Sequence, residues 1–128
     1  MTNVEVVRRM YRAFADGDYD TFRALTDPDL VWIQNAGFPN GRRHTGADAV
    51  VKNVFEGFGT DWKNWRFDAE NYLESENAVV VIGTYTGQHR VTGKTFNAAA
   101  AHVYDLRNGK IHRFRQFADT KLIADAMT

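Results

Sequence analysis

One change of rhythm constrains this chain more than any other feature. Before Trp65 the apolar residues recur at three- and four-residue intervals; from Trp65 onward they alternate with polar ones. The first spacing is that of an amphipathic helix and the second that of a half-buried strand. A chain that is helical first and stranded afterwards can bury both apolar faces by laying the helices on one face of a curved antiparallel meander. That arrangement predicts an α+β domain.

Local signals fill in the elements. Thr2-x-x-Glu5 reads as a capping box, with Val7, Met10, Tyr11 and Phe14 following at helical spacing and Gly17 closing the helix. Asp18 caps a shorter helix carrying Tyr19, Phe22 and Leu25, which breaks at Pro28. "LVWIQ" (Leu30 to Gln34) reads as a strand and "GFPNG" as a loop. Thr45-x-x-Asp48 resembles another cap, opening a helix with Val50, Val51, Val54, Phe55 and Phe58 on one face. Alternation then predicts strands over 66–74, 78–88, 96–106 and 110–118, before "DTKLIADAM" closes the chain as a short helix.

Composition enters as a set of exclusions. The 128 residues suit one domain, 1–128, and 44% hydrophobic with 25% charged residues is a globular balance. Sixteen basic and sixteen acidic residues cancel. No basic stripe is visible, so neither nucleic acid nor an anionic membrane is an expected partner. No apolar run approaches the ~18 residues of a membrane span, and the opening residues read as a capped helix rather than a signal peptide. The absence of cysteine removes disulfides, thiol catalysis and thiolate metal sites, and makes a cytoplasmic protein the default. Nine Phe, five Tyr and three Trp are many for this length and would suit either a core or an apolar cavity.

The last hairpin decides which side chains face inward. In "LRNGK" a two-residue Asn108-Gly109 turn would set Arg115 opposite His102 and Arg113 opposite Tyr104. A three-residue Arg107-Asn108-Gly109 loop would set His102 opposite Phe114, Tyr104 opposite His112 and Ala100 opposite Gln116. One residue of slip exchanges the faces of the whole strand. Burial favours the second register, which gathers His102, Tyr104, Phe114 and Gln116 inside and sends both arginines out.

On that inner face His102 is the candidate acid–base residue, since its ordinary pKa lies near 6.5. The alanines that precede it leave space beside the strand. Gln34 and Trp32 share a face of the first strand; a glutamine can orient a carbonyl or a water but takes up no proton. Asp119 falls where a helix N-cap belongs and shares strand parity with the outward arginines, so it ranks below the others. His44, His89 and His112 read as surface, and no spacing suggests a metal site. No serine nucleophile motif or glycine-rich phosphate loop is present.

With these residues placed, the chain resembles the SnoaL-like and ketosteroid-isomerase-like branch of the nuclear-transport-factor-2-like superfamily. "VRRMYRAFADGDYDTFRALTDPDLVW" is similar to that family's opening, "GRRHTGADAVVKNVF" to its strand-to-helix segment, and "HVYDLRNGKIHRFRQFADT" to its final hairpin. The resemblance implies a cone in which the curved sheet wraps the helices around a deep apolar pocket. It implies no cofactor, an apolar small-molecule ligand and a homodimer paired through the sheet. Members include isomerases, cyclases, dehydratases and hydrolases working on apolar, carbonyl-bearing or polycyclic molecules, and also modules that only bind or associate.

Carried over residue by residue, the steroid-isomerase base position falls at Gln34, its oxyanion aspartate at or beside His102 and its oxyanion tyrosine near Tyr11. The histidine of SnoaL-like cyclases matches His102, and their last-strand aspartate falls at Gln116. Two carboxylates thus stand as amides, which argues against the steroid-isomerase mechanism. The expected site is catalytic His102 and Tyr11, with Phe14, Trp32, Gln34, Phe55, Phe58, Tyr104, Phe114 and Gln116 around the ligand. Either an enzyme or a binding domain fits that set.

Overall fold

The computed structural model describes residues 1–128. Helix α1 (Asn3–Asp16) begins with the expected capping box: Thr2 Oγ1 accepts from the Glu5 amide at 3.1 Å, and Glu5 returns the bond to the Thr2 amide at 3.2 Å. Val6, Val7, Met10 and Ala13 form its buried stripe. Gly17, at φ +67°, ends it in the left-handed conformation that costs glycine little. Helix α2 (Tyr19–Ala24) follows on an Asp18 cap and buries Phe22 completely.

Two expectations around the next turn are corrected. Strand β1 (Thr26–Ile33) already includes Pro28, which sits where pairing with the neighbouring strand is interrupted and no ladder N–H is needed. Thr45 caps nothing. It ends a short strand, β2 (Arg43–Thr45), paired with Val31, and Gly46 precedes α3 (Ala47–Val50) without a side-chain cap. From α3 the chain passes through a wide π-type stretch (Val51–Phe55) into α4 (Glu56–Asp61). Val50, Val51, Val54, Phe55 and Phe58 all turn inward, as their spacing predicts.

The remaining chain is β3 (Trp62–Glu74), β4 (Ala78–His89), β5 (Thr95–Arg107), β6 (Lys110–Ala118) and α5 (Thr120–Ala126). The six strands form one curved, unclosed sheet in the order β2-β1-β6-β5-β4-β3. The architecture is α+β as expected, with a difference: β1 runs parallel to β6, so the sheet is mixed rather than wholly antiparallel. The helices and the inner sheet face share one core. Gly83 permits the tightest approach within the sheet, since a side chain there would overlap the Asp68 carbonyl and the Phe67 ring.

The final hairpin follows neither expected register. Asn108 and Gly109 both take positive φ, and Arg107 pairs with Lys110 across a two-residue turn. The pairing then slips: Leu106 faces Ile111, but Asp105 faces Arg113, leaving His112 as an extra residue. Beyond this bulge His102 opposes Gln116, Tyr104 opposes Phe114 and Val103 opposes Arg115. The inner face is therefore the one that burial favours, reached by a bulge instead of a longer loop. The arginines stay outside, where Arg113 Nε bonds Asp105 at 2.6 Å.

Candidate functional site

Strand parity brings His102, Tyr104, Phe114 and Gln116 to the concave face, and β4 adds Tyr85 beside them. Helix α1 closes over this face and delivers Tyr11. The polar tips meet in one hydrogen-bonded run. The Tyr104 hydroxyl donates to the Tyr11 hydroxyl at 2.9 Å, and the Tyr11 hydroxyl lies 2.7 Å from His102 Nδ1. On the other side of the ring, His102 Nε2 lies 2.6 Å from the Tyr85 hydroxyl. Gln116 Nε2 donates to that same hydroxyl at 2.8 Å, and the Asn35 amide donates to Gln116 Oε1 at 3.0 Å. The last bond fixes which way the amide of Gln116 points.

A proton count gives the run its chemistry. Tyr104, Tyr11, neutral His102 and Tyr85 bring one proton each to the three bonds that join them. One proton is left over. With Tyr104 donating to Tyr11, the spare hydroxyl belongs to Tyr85 if the imidazole carries its proton on Nε2, and to Tyr11 if on Nδ1. Both hydroxyl-bearing residues line the same cavity.

The charge state follows from burial. His102 is 3% exposed, with its ring stacked on Phe67 at 4.1 Å. Loss of hydration disfavours the imidazolium and pushes the pKa down to about 3. Burial likewise raises the pKa of Tyr85, and raises those of Tyr11 and Tyr104 well above the ordinary tyrosine value. For Tyr11 the neighbouring Tyr104 adds to the effect. The whole run is neutral near pH 7.

Met10, Val54, Trp65 and Phe67 complete a wall that also contains Phe14, Trp32, Gln34, Phe55, Phe58, Tyr104 and Phe114. Gln34 Oε1 is occupied by the Trp32 indole N–H at 3.0 Å. The space between these side chains is about 40 Å3. That is room for a few waters and far below the roughly 300 Å3 of an ordinary ligand pocket. The deep pocket implied by the resemblance is, in this conformation, filled by the protein's own rings.

Two of the expected residues stand apart from the cavity. Gln116 lies behind Tyr85 and reaches the space only through that hydroxyl. Asp119 is exposed and caps α5, accepting from the Leu122 amide at 3.5 Å. Sequence reasoning missed Met10, Val54, Trp65 and Phe67 of the wall and, among the polar groups, Tyr85, although Tyr85 shares strand parity with the buried Val79 and Val81. No three of His, Asp and Glu converge as a metal site would require.

Comparison with known proteins places the fold. The SnoaL-like domain model matches residues 7–114. An NTF2-like protein from Burkholderia thailandensis is 35% identical, with a TM-score of 0.95 over 100% of this chain and 98% of that one. An NTF2-like protein from Burkholderia pseudomallei is 26% identical, with a TM-score of 0.89 over 100% and 99%. TerC, co-crystallized with polyporic acid, is 23% identical, with a TM-score of 0.86 over 98% and 97%, a likeness of fold. No curated protein matches the chain.

Proposed function

The chain belongs to the SnoaL-like domain family, and from that premise we propose that its cavity binds an apolar, oxygen-bearing small molecule through an uncharged hydrogen-bond relay. The observation that carries this reading is His102 bonded on both ring nitrogens by tyrosine hydroxyls, with one hydroxyl proton to spare. Such a relay offers a donor to a carbonyl, ether or phenol oxygen. No charged side chain lines the cavity to attract an ion. The rings around it supply the apolar contact that makes up most of a small ligand's burial.

Phenol is a suitable minimal test, read by tryptophan fluorescence or calorimetry. Binding should weaken about tenfold in Tyr85→Phe or Tyr11→Phe, the equivalent of one hydrogen bond to the ligand. Failure of phenol to bind, or wild-type affinity retained in both variants, overturns the relay as the recognition element. Mass spectrometry of any molecule that co-purifies would identify the natural ligand.

A second reading, that the domain is a cofactor-independent isomerase, cyclase, dehydratase or hydrolase, draws support from the neutrality of the ring. A neutral imidazole in a tyrosine relay can polarise a carbonyl, whereas with a pKa of about 3 it is a weak base at neutral pH. His102 and Tyr11 would then act as the electrophilic pair, with Gln34 and Gln116 orienting the substrate through Trp32 and Tyr85. Deuterium exchange beside the carbonyl of 2-tetralone measures this directly. No acceleration over buffer, or an acceleration that survives His102→Gln, counts against catalysis.

Assembly as a homodimer is part of the proposal. On the outward sheet face Leu73, Val80 and Val103 form one row with Arg115, and Ile82 and Ala101 form the next with Phe117. Leu73 is 57% and Phe117 54% exposed, which a second copy of the sheet would cover. No helix is long and apolar enough to cross a membrane, and a cytoplasmic location is the reading adopted.

A further inference from the structure

Outside the small cavity lies an open surface groove of about 360 Å3. Phe14, Phe55, Phe58 and Trp65 belong to the walls of both. These four rings therefore stand between the cavity and the groove: Phe14 packs on Phe55 at 4.7 Å, and Phe58 stacks on Trp65 at 4.3 Å. Trp65 Nε1 is buried and has no acceptor in the protein. An unsatisfied buried donor is costly, so the packing of this ring is not at its best in the closed arrangement.

The segment that carries Phe55 and Phe58 is not a regular helix. It passes through the wide turn at Val51–Phe55 and then Gly57 and Gly59, and such wide turns concentrate at functional positions. Its end is held by Arg90, whose Nε and Nη2 both donate to the Gly59 carbonyl, at 3.2 and 3.1 Å. Arg90 is the only charged side chain lining either the cavity or the groove, it is exposed, and it takes part in none of the molecule's ion pairs. Tyr85 and Arg90 lie five positions apart on and just beyond β4, roughly 16 Å along an extended backbone.

We propose that the cavity and the groove are one channel closed by a movable ring partition, and that its ligand is an elongated two-ring acid. The neutral oxygen of that molecule meets the Tyr85–His102 relay, its rings replace the Phe58–Trp65 stack, and its carboxylate lies on the Arg90 guanidinium. This assignment rests on the reading of the cavity as a binding site and adds to it the length and charge of the ligand.

Three probes separate the two ideas: phenol, 4-phenylphenol and 4′-hydroxybiphenyl-4-carboxylate. The acid should bind about fivefold tighter than 4-phenylphenol at low salt, as expected for an exposed ion pair. That ratio should fall toward one at about 1 M salt, where the screening length is ~3 Å. Arg90→Met should abolish the ratio, with 4-phenylphenol reporting any effect of losing the grip on Gly59. Should the variant fold poorly, the salt dependence in the wild-type protein carries the same information. A salt-independent ratio of one, or equal weakening of both biphenyls in Arg90→Met, removes the acid-binding role. Binding of phenol but neither biphenyl overturns the channel and leaves the cavity reading intact. If none of the three binds, the cavity reading falls as well.

Discussion

At His102, burial keeps the ring uncharged. Its folded pKa of about 3 lies below the ~6.5 of an exposed histidine, so between those values the unfolded chain holds more protons than the folded one. The stability this group contributes is complete above about pH 6.5 and is lost as pH falls toward 3. His102→Gln keeps a polar side chain but cannot titrate. Its stability difference from wild type should therefore shrink by about 1.4 kcal/mol per pH unit between roughly pH 6 and 4. Urea denaturation across that range checks it, and a constant difference would show that the ring is already protonated or exposed. Tyr85→Phe is the complementary test. It leaves His102 Nε2 and Gln116 Nε2 without their partner, and should cost about 1–3 kcal/mol at pH 7 by the same assay. A smaller loss would mean that Gln116 and His102 find substitutes.

Among the elements, the β5–β6 hairpin shows how burial overrules a turn. A two-residue Asn108-Gly109 turn alone would place Arg113 and Arg115 inside, and the bulge at His112 reverses that parity. Deleting His112 should leave Phe114 opposite Tyr104 and cost only about 1 kcal/mol, since the pairing beyond the bulge is unchanged. Deleting Arg115 instead should swing Gln116 and Phe117 to opposite faces and abolish the cooperative thermal transition. Comparable melting curves for the two deletions would show that strand parity does not govern this face. Alternation thus revealed which residues face inward, because the period of a strand is a property of its own sequence. The partner of β1 was not legible, since period two is silent on whether a neighbour runs parallel. Strand β2 was hidden by its three residues, and Thr45 looked like a cap because threonine suits both a cap and a strand end. The site was legible as a set of ring-bearing residues, but the closing of the cavity depends on how Phe14, Phe55, Phe58 and Trp65 pack. No spacing rule encodes that.

For the whole molecule, the outward sheet face gives the proposed dimer its test. Phe117→Glu puts a charge in the middle of that face, and sedimentation velocity at micromolar concentration should show a dimer for wild type and a monomer for the variant. A wild-type monomer would sink the idea. The strand order has a consequence of another kind, in the time course of synthesis. Of the six strands β6 is the last to be synthesised, yet it lies between β1 and β5 and is bonded to both. Until it emerges, the nascent chain carries two bare edges facing a gap, one on each half of the sheet, and such edges invite pairing with other chains. Residues up to Arg107 can collapse but cannot close the sheet. The segment Lys110–Ala118 thus joins its halves, and a chain truncated just before it would be a sticky polypeptide rather than a slightly smaller domain.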